Sequence, residues 1–527
     1  MTHLFLCQIG PVQPFIAAGR RTQDLYVGSR ILSQLARAGL SAVSEGKGFE
    51  LIFPMIYAGK LPKGIPHRFA FLCDEEDSQS VANAIRSAID AQWNIYVNAV
   101  DKKYGSWIAS DKTRLETFNR QKEPVWVEFY WVAVDYQPEN HKTCFENASI
   151  ALAQRRLFRQ FVHIEEVGRK CTLTGAQSSL IQGDKKQADS ALAKLREIAE
   201  DKRGIIFRNN EYLGTTALIK RLVQFTTADL GDVDEKRFPK STTWIASGKE
   251  ERGDLDKKGK EVEGYLAVLH MDGDGMGRNL SAIGELKLHQ QFSQKLAEFA
   301  DIHVPRIIQE DGGKNATLVY AGGDDVLALL PLRHALKCGK ELSDAFYALT
   351  GCTASAGIAI TPHDFPLDVA LEMARQAEEK AKDTYRISDG DKKGAIFVTE
   401  AHGTGTIREA GGNWDVIPLV NDLITYFADD TLSGKLGYDI LTIAHDMGGS
   451  VPAEAREAEL GRIIRRRLSK KVTPNIEKEI IEGNIEKECL AKRIATLAEG
   501  RASWQDMAHW TILARFIAKP TKEVVGS

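Results

Sequence analysis

The sequence predicts an α+β protein with two ferredoxin-like domains, a small, mostly helical domain between them and an all-helical domain at the C-terminal end. Three observations predict this. Residues 265–405 alternate apolar strands and amphipathic helices in the order β-α-β-β-α-β-α-β, a split βαβ unit with an added helix and strand. A strand, a glycine turn and a helix also open the chain, and periodic segments after about Asn413 are all helical.

The composition is that of an ordinary globular chain. At 527 residues it is too long for one domain. Its 69 basic and 72 acidic residues leave a net charge of −3, so any nucleic-acid surface must be a local patch. Seven cysteines without a Cys-x-x-Cys pair argue against a disulfide framework and predict a reducing, cytoplasmic location. No apolar run of about 18 residues predicts a membrane span, and no basic leader predicts a signal peptide.

The first domain is predicted at residues 1–149 and the middle domain at 150–246. In the first, strands are expected at 3–9, 69–73 and 124–134, and helices around Phe15, at 22–45 and at 78–100. The middle domain reads as helical and polar, with a break at 168–175. Residues 247–264 are charged, dotted with glycine and almost free of large apolar residues, which predicts a linker.

The second ferredoxin-like domain is predicted at 265–405 and the helical domain at 406–527. Strands are expected at 265–271, 316–320, 326–330, 353–361 and 395–399, and helices at 284–308, 333–350 and 367–386. The helical domain contains the basic run from Arg465 to Lys471. A solvated helix face and a surface for RNA or a neighbouring subunit are both open readings of that run.

The two strand-turn-helix units at 3–15 and 265–280 are similar in pattern. We read them as a duplicated domain in which only the second copy carries carboxylates in its turn. Two unrelated units would give the same pattern, so this alternative stays open.

Two carboxylate turns carry the predicted chemistry. Asp272 ends a buried strand and is followed by Gly273-Asp274-Gly275-Met276-Gly277, and Asp324 and Asp325 lie at the tip of a Gly322-Gly323 hairpin. In a split βαβ sheet these strands are neighbours, so their carboxylates can converge. Mg²⁺ prefers such oxygen ligands, and two ions can activate a ribose hydroxyl and stabilise a departing pyrophosphate. The sequence therefore predicts a site for nucleotidyl transfer in which Asp272, Gly273, Asp324 and Asp325 hold Mg²⁺ or Mn²⁺.

The glycines and two lysines complete the predicted site. Gly322 and Gly323 allow a tight turn with positive φ and let phosphate oxygens approach the backbone. Gly275 and Gly277 open a helix whose amides, with Asp274 and Met276, can lie against phosphates. Lys380 and Lys382 lie beside the buried stripe of the helix at 367–386. Either lysine could reach a triphosphate, or both could belong to a solvated face. Each Gly-Asp turn alone is ordinary turn sequence.

Several longer segments resemble one known family. In chain order they are IGPVQPFIAAGRRTQDLYVGSRILSQL, IPHRF, VEFYWV, ALIKRL, LHMDGDGMG, YAGGDDVLALLP, SAGIAI and ARQAEEKAK. They resemble the large polymerase/cyclase subunit of type III CRISPR–Cas RNA-targeting complexes, and its Cmr (III-B) branch most of all. The resemblance implies two palm domains of the nucleotidyl cyclase type. It also implies conversion of ATP to cyclic oligoadenylates when the complex binds target RNA, with Asp272, Asp324 and Asp325 as metal ligands.

The resemblance also implies partners: other subunits of a Cmr-like effector complex, guide RNA, target RNA and ATP, with no membrane.

Two departures from the family pattern lead to expectations. The first palm begins at the start of this sequence, so we expect no N-terminal HD nuclease domain, and we read His363-Asp364 and His445-Asp446 as chance dipeptides. The family's Cys-x-x-Cys is replaced by Cys171-Thr172-Leu173-Thr174, so we expect no zinc.

Three alternative functions remain open at this point. Adenylate transfer to a different acceptor would use the same site. A GGDEF-type dinucleotide cyclase shares the palm and would use GTP, but it would not need residues 1–245. A scaffold with an inactive palm would not need the intact carboxylates.

Overall fold

The computed structural model describes residues 1–57, 59–74, 77–158, 166–201, 206–231, 240–248, 264–385, 394–401, 407–447, 451–484, 487–500 and 502–524. The predicted linker at 247–264 lies almost entirely outside the described residues. No described helix is both long and apolar enough to span a bilayer. All seven cysteines are free thiols.

The first sheet is formed by β1 (His3–Gly10), β2 (Glu50–Phe53), β3 (Arg68–Cys73) and β4 (Glu128–Asp135), in the antiparallel order β2-β3-β1-β4. Its helices are α1 (Gln13–Ala17), α2 (Thr22–Ser41), α3 (Ser78–Ala109), α4 (Lys112–Gln121) and α5 (His141–Leu157). Alternation along the strands gives the sheet two apolar faces. Phe5 and Phe71 pack in the core that contains α2 and α3, whereas Leu4 and Leu72 pack with α5.

The middle region contains α6 (Lys185–Ile198), α7 (Thr215–Leu222) and α8 (Thr242–Ser247). Buried Arg221 of α7 holds this region on the first sheet's helices, because its guanidinium pairs with Asp24 of α2 and with Glu211. The neighbouring ammonium of Lys220 donates to the carbonyl oxygens of Phe15 and Ala18 at 2.7 and 2.5 Å. The predicted helical character of the region holds within the residues described.

The second sheet has six strands: β5 (Tyr265–Gly273), β6 (Thr317–Ala321), β7 (Val326–Pro331), β8 (Ala354–Pro362), β9 (Ala395–Ala401) and β10 (Ile407–Asn413). The order is β10-β9-β8-β5-β7-β6, and β8 and β9 are the parallel pair. Its helices are α9 (Met276–Ser281), α10 (Leu286–Glu298), α11 (Val304–Arg306), α12 (Leu332–Thr350) and α13 (Leu367–Thr384). Two π-helical turns, Phe299–His303 and Ile307–Asp311, flank α11.

When the strands of each sheet are counted in sequence order, the first strand lies between the third and the fourth, and the second strand lies on the outer side of the third. This shared order is the ferredoxin-like one, so the topology supports a duplicated domain. The predicted α+β class with two such domains is confirmed.

The C-terminal region packs α14 (Val416–Ala428), α15 (Leu436–Asp446), α16 (Ala453–Arg467), α17 (Pro474–Glu482), α18 (Leu490–Gly500) and α19 (Trp504–Val524) against the second sheet's α12 side.

Two strands differ from the prediction. The four-residue β2 is too short to show alternation, and β10 lies beyond the predicted domain limit at residue 405 because its Ala-Gly-Gly segment has no strand-like pattern. The domain limits themselves stay predictions.

Candidate active site

The two predicted carboxylate turns meet at one edge of the second sheet. Asp272 lies at the end of β5, and Met271 pairs with Val326 at the start of β7, directly after Asp325. The Gly322 N–H donates to the Asp325 carbonyl oxygen at 3.0 Å and closes the turn. A Cβ added to Gly273 would lie 3.0 Å from the Cβ of Asp324, so the end of β5 and the turn are in contact.

The turn glycines have separate physical reasons. Gly323 has φ +97, which an L-residue rarely adopts. Gly322 instead leaves room for the Tyr320 hydroxyl, because an added Cβ would lie 1.8 Å from that oxygen. Only the first of these reasons was anticipated from the sequence.

Electrostatics at the turn disfavour three ionised carboxylates. Burial, together with the charge of Asp272, raises the pKa of Asp324 to about 7 and that of Asp325 to about 8. The buried Oδ1 of Asp325 has no hydrogen-bond partner among the described residues. A divalent cation would relieve both conditions, so the donor set fits Mg²⁺ or Mn²⁺.

Asp272 is held by a lysine in this structure. The Lys382 ammonium pairs with Asp272 Oδ2 and lies 2.6 Å from Glu378 Oε1. Burial opposes the charge on Lys382, but the two carboxylates outweigh it and raise its pKa. Among the described residues, no group of three or more His, Cys, Asp or Glu side chains is arranged so that it could hold a metal ion as it stands. Cation binding at Asp272 therefore requires exchange with, or sharing of, the lysine.

The structure separates the two candidate lysines. Lys380 lies 2.5 Å from Glu409 Oε1 on β10 and over the Phe397 ring, away from the carboxylates. Lys382 lies among them. The assignment of a triphosphate contact stays a prediction, and the geometry favours Lys382 for it.

Sequence reasoning missed His270 and Glu378. The His270 ring is buried between Asp325 Oδ1 at 3.6 Å and Glu378 Oε2 at 3.8 Å. Burial lowers the pKa of His270, so the ring is neutral near pH 7. One signal was available: His270 precedes Asp272 by two residues in a buried strand, so both side chains lie on the sheet face covered by α13.

Asp274 is tied to β8. Ser355 Oγ donates to its Oδ1 at 2.8 Å, and the Asp274 backbone N–H donates to the Thr353 carbonyl at 2.8 Å. Burial raises the pKa of Asp274. The predicted phosphate contacts of Asp274 and its neighbours stay predictions, and the six-residue α9 is too short for a strong helix dipole.

Beside that segment, Gly275 adopts φ 65 and caps α9. Met276 is buried, and an added Cβ on Gly273 would lie 2.6 Å from its Cγ. Gly277 is exposed with open space around it. The loop from Gly273 to Gly277 is therefore tightly packed at Gly273 and exposed to solvent at Gly277.

The remaining motifs lie apart from this site. Cys171 is buried and its carbonyl accepts from the Gly175 N–H at 2.9 Å, in a turn that exposes Thr174. His445 and Asp446 pair at the exposed end of α15. In the basic run, Arg467 is paired with Asp439.

Two ferredoxin-like sheets, the second with a carboxylate turn, define a double-palm protein. The profile of the Cas10/Cmr2 second palm domain matches residues 265–395, and that of the CRISPR-associated protein Cmr2 N-terminal region matches residues 4–98. Both matches are to the Cas10/Cmr2 family, so these two regions of the chain are similar to the palm and N-terminal regions of a type III-B Cmr2 subunit.

The CRISPR system Cmr subunit Cmr2 of Pyrococcus furiosus is 30% identical over 259 residues, which cover 41% of this chain and 28% of that protein. The match thus spans less than a third of this relative. Among solved structures, type III-B Cmr-beta bound to cognate target RNA has a TM-score of 0.71 at 12% identity, with 99% of this chain and 83% of that chain covered. A Csm1–Csm4 cassette in complex with cA4 has a TM-score of 0.50 at 12% identity, with 98% and 70% covered.

Proposed function

We propose that this chain is a Mg²⁺-dependent nucleotidyltransferase that makes cyclic oligoadenylates from ATP when its effector complex binds target RNA. The observation that carries the proposal is the meeting of Asp272, Asp324 and Asp325 at one sheet edge in a double-palm fold. A structural relative, the Csm1–Csm4 cassette, has been solved in complex with cA4. This relative supports the choice of an oligoadenylate product.

The side chains suit the roles that nucleotidyl transfer needs. Asp272, Asp324 and Asp325 would hold Mg²⁺ or Mn²⁺, which when bound neutralises triphosphate charge and activates the attacking hydroxyl. Lys382 lies beside Asp272 and offers the cation nearest to an incoming triphosphate among the residues described above. Gly323 carries no side chain, and an added Cβ would approach no described atom beyond its chain neighbours closer than 3.9 Å, so this part of the turn leaves phosphate oxygens free to approach its backbone.

We propose the same partners as in related complexes: the other subunits of a Cmr-like complex, guide RNA and target RNA. The similarity to Cmr-beta bound to cognate target RNA supports this. Exposed Arg465 and Arg466 at the end of α16 are one candidate contact for an RNA backbone or a subunit.

The test is product formation by the reconstituted complex with labelled ATP, Mg²⁺ and complementary RNA. We expect cyclic oligoadenylate from the wild type and none from an Asp324→Ala/Asp325→Ala variant that still assembles, because these are turn-tip ligands. Asp429→Ala, which removes an exposed carboxylate from the end of α14, is the matched control and is expected to remain active.

Product identity separates the alternatives. A product in which adenylate is joined to another acceptor would indicate adenylate transfer instead of cyclisation. Turnover of GTP alone would indicate a dinucleotide cyclase. Product from the Asp324→Ala/Asp325→Ala variant would reject the assigned site.

A further inference from the structure

The loop after β2 reaches from the first palm to the second. On its own side, Arg37 Nη2 of α2 donates to the Pro62 carbonyl oxygen at 2.7 Å. The next backbone N–H, that of Lys63, donates to both carboxylate oxygens of Asp301 in the second palm, each at 3.0 Å. The backbone of the next residue, Gly64, also favours the ionised form of this carboxylate and so opposes the rise in its pKa that burial causes. A carboxylate of the second palm thus binds the backbone of a loop of the first.

The same loop touches the candidate active site. A Cβ added to Gly64 would lie 2.3 Å from the carbonyl oxygen of Ala321, about 1 Å inside ordinary contact. Ala321 is the last residue of β6 and directly precedes Gly322 of the carboxylate turn. The φ of Gly64 lies outside the left-handed region, so the backbone conformation does not require glycine here. The close approach to Ala321 does.

Asp301 is held firmly on the second palm. It lies in the π-helical turn Phe299–His303, whose Phe299 and Ala300 are buried. π-turns of this kind are frequent at functional sites.

The preceding helix α10 is also fixed to the first palm, and its contacts form a row that leads to Asp301. Ser293 Oγ accepts from the Met55 N–H at 2.9 Å, and Gln290 Nε2 donates to the Leu51 carbonyl at 2.8 Å. The ring nitrogens of His289 and His141 lie 3.2 Å apart. Gly64, which touches Ala321, therefore adjoins the carboxylate turn, and Asp301 binds the residue that precedes Gly64.

We propose that Asp301 and Gly64 are positioning residues that hold the carboxylate turn at residues 321–326 against the first palm. We call their contact the interpalm clasp. This inference rests on the proposed function. A metal-dependent transfer needs its ligands in register with the nucleotide, and a misplacement of about 1 Å can cost about 10²-fold in rate.

The test compares four variants in the reconstituted complex. Gly64→Ala pushes on Ala321, and Asp301→Leu removes the acceptor of the Lys63 amide. Asp301→Asn keeps one acceptor oxygen, and Gly284→Ala fills open space in an exposed loop. We measure ATP turnover and, for the chain itself, amide hydrogen exchange in residues 321–326, with β8 as internal reference.

We expect turnover to fall at least ~10-fold in Gly64→Ala and Asp301→Leu, and amide exchange in the turn to rise ~10-fold, with β8 unchanged. Asp301→Asn should stay within ~3-fold of the wild type and Gly284→Ala should match it. This pattern supports the clasp.

Unchanged exchange in the turn of both disruptive variants would overturn the clasp. So would full turnover despite faster exchange, or an equal loss of turnover in Gly284→Ala. A wild type that makes no product rejects the proposed function, and exchange in the turn then decides by itself whether the clasp holds it.

Discussion

Replacing Asp325 by asparagine should stabilise the metal-free protein at alkaline pH. The substitution keeps the shape of the side chain and removes one of the crowded charges at the turn. The side chain lies near Asp272, Asp324 and Glu378, each of which carries negative charge when ionised, and Lys382 offsets only part of it. Loss of the candidate function and gain in stability are therefore expected from the same change.

The magnitude follows from the pKa of Asp325, which burial and the charges of Asp272 and Glu378 raise from 3.8 to about 8. The folded protein thus binds more protons than the unfolded chain between these values, so its stability falls as pH rises through them. At about 1.4 kcal/mol per pH unit, the upper limit is about 5–6 kcal/mol. The side chain is 24% exposed and shares proton binding with Asp324, so we expect about 1–3 kcal/mol.

The assay is thermal and urea unfolding in EDTA at pH 6 and pH 8.5, for the wild type, Asp325→Asn and the exposed-carboxylate control Asp429→Asn. The wild type and the control should lose stability between the two pH values, and Asp325→Asn should lose less. Mg²⁺ at 100 times its Kd should restore about 2.7 kcal/mol to the wild type and to the control, but not to Asp325→Asn. Lower stability of Asp325→Asn at pH 8.5, or equal pH dependence in all three proteins, would refute the reasoning.

Three further predictions concern the rest of the chain. Lys382→Met should reduce ATP turnover by about 10²-fold and Lys380→Met should not, because only Lys382 lies among the carboxylates; equal effects in the labelled-ATP assay would contradict this. Elemental analysis should find no stoichiometric zinc, because Thr174 replaces the second thiolate of the Cys171 motif, and about one zinc per chain would contradict this. Arg465→Ala with Arg466→Ala should weaken stimulation by target RNA, whereas a normal RNA response would reject a role for this end of α16.

The strands that carry the site were predictable because their information is local. Residues 265–271 and 326–330 are apolar runs bounded by Gly-Asp turns, and such runs of strand length indicate buried strands. The left-handed φ of Gly323 follows from the same turn chemistry. Short or glycine-rich strands such as β2 and β10 lack this local signal, and they form because a neighbouring strand offers its backbone groups.

The polar partners of the site were not predictable, because they depend on contacts between distant parts of the chain. Ser355 meets Asp274 across 81 residues of sequence, and Lys63 meets Asp301 across 238. Pattern analysis could place Lys382 beside the buried face of its helix. It could not distinguish Lys382 from Lys380, because the distinction depends on which neighbour each ammonium meets: Asp272 on β5 or Glu409 on β10.

The pairing of Lys382 with Asp272 determines how the site would respond to a cation. In the metal-free chain the Lys382 ammonium pairs directly with Asp272 and Glu378 and offsets only part of the charge at Asp324 and Asp325, which take up protons instead. A divalent cation must therefore displace protons from the turn and weaken the lysine pair at Asp272. The first requirement makes its affinity rise with pH through about 7 to 8, whereas the lysine stays charged throughout this range. An ammonium released from Asp272 would then stand beside the bound cation, where a triphosphate is the anion that completes the charge balance.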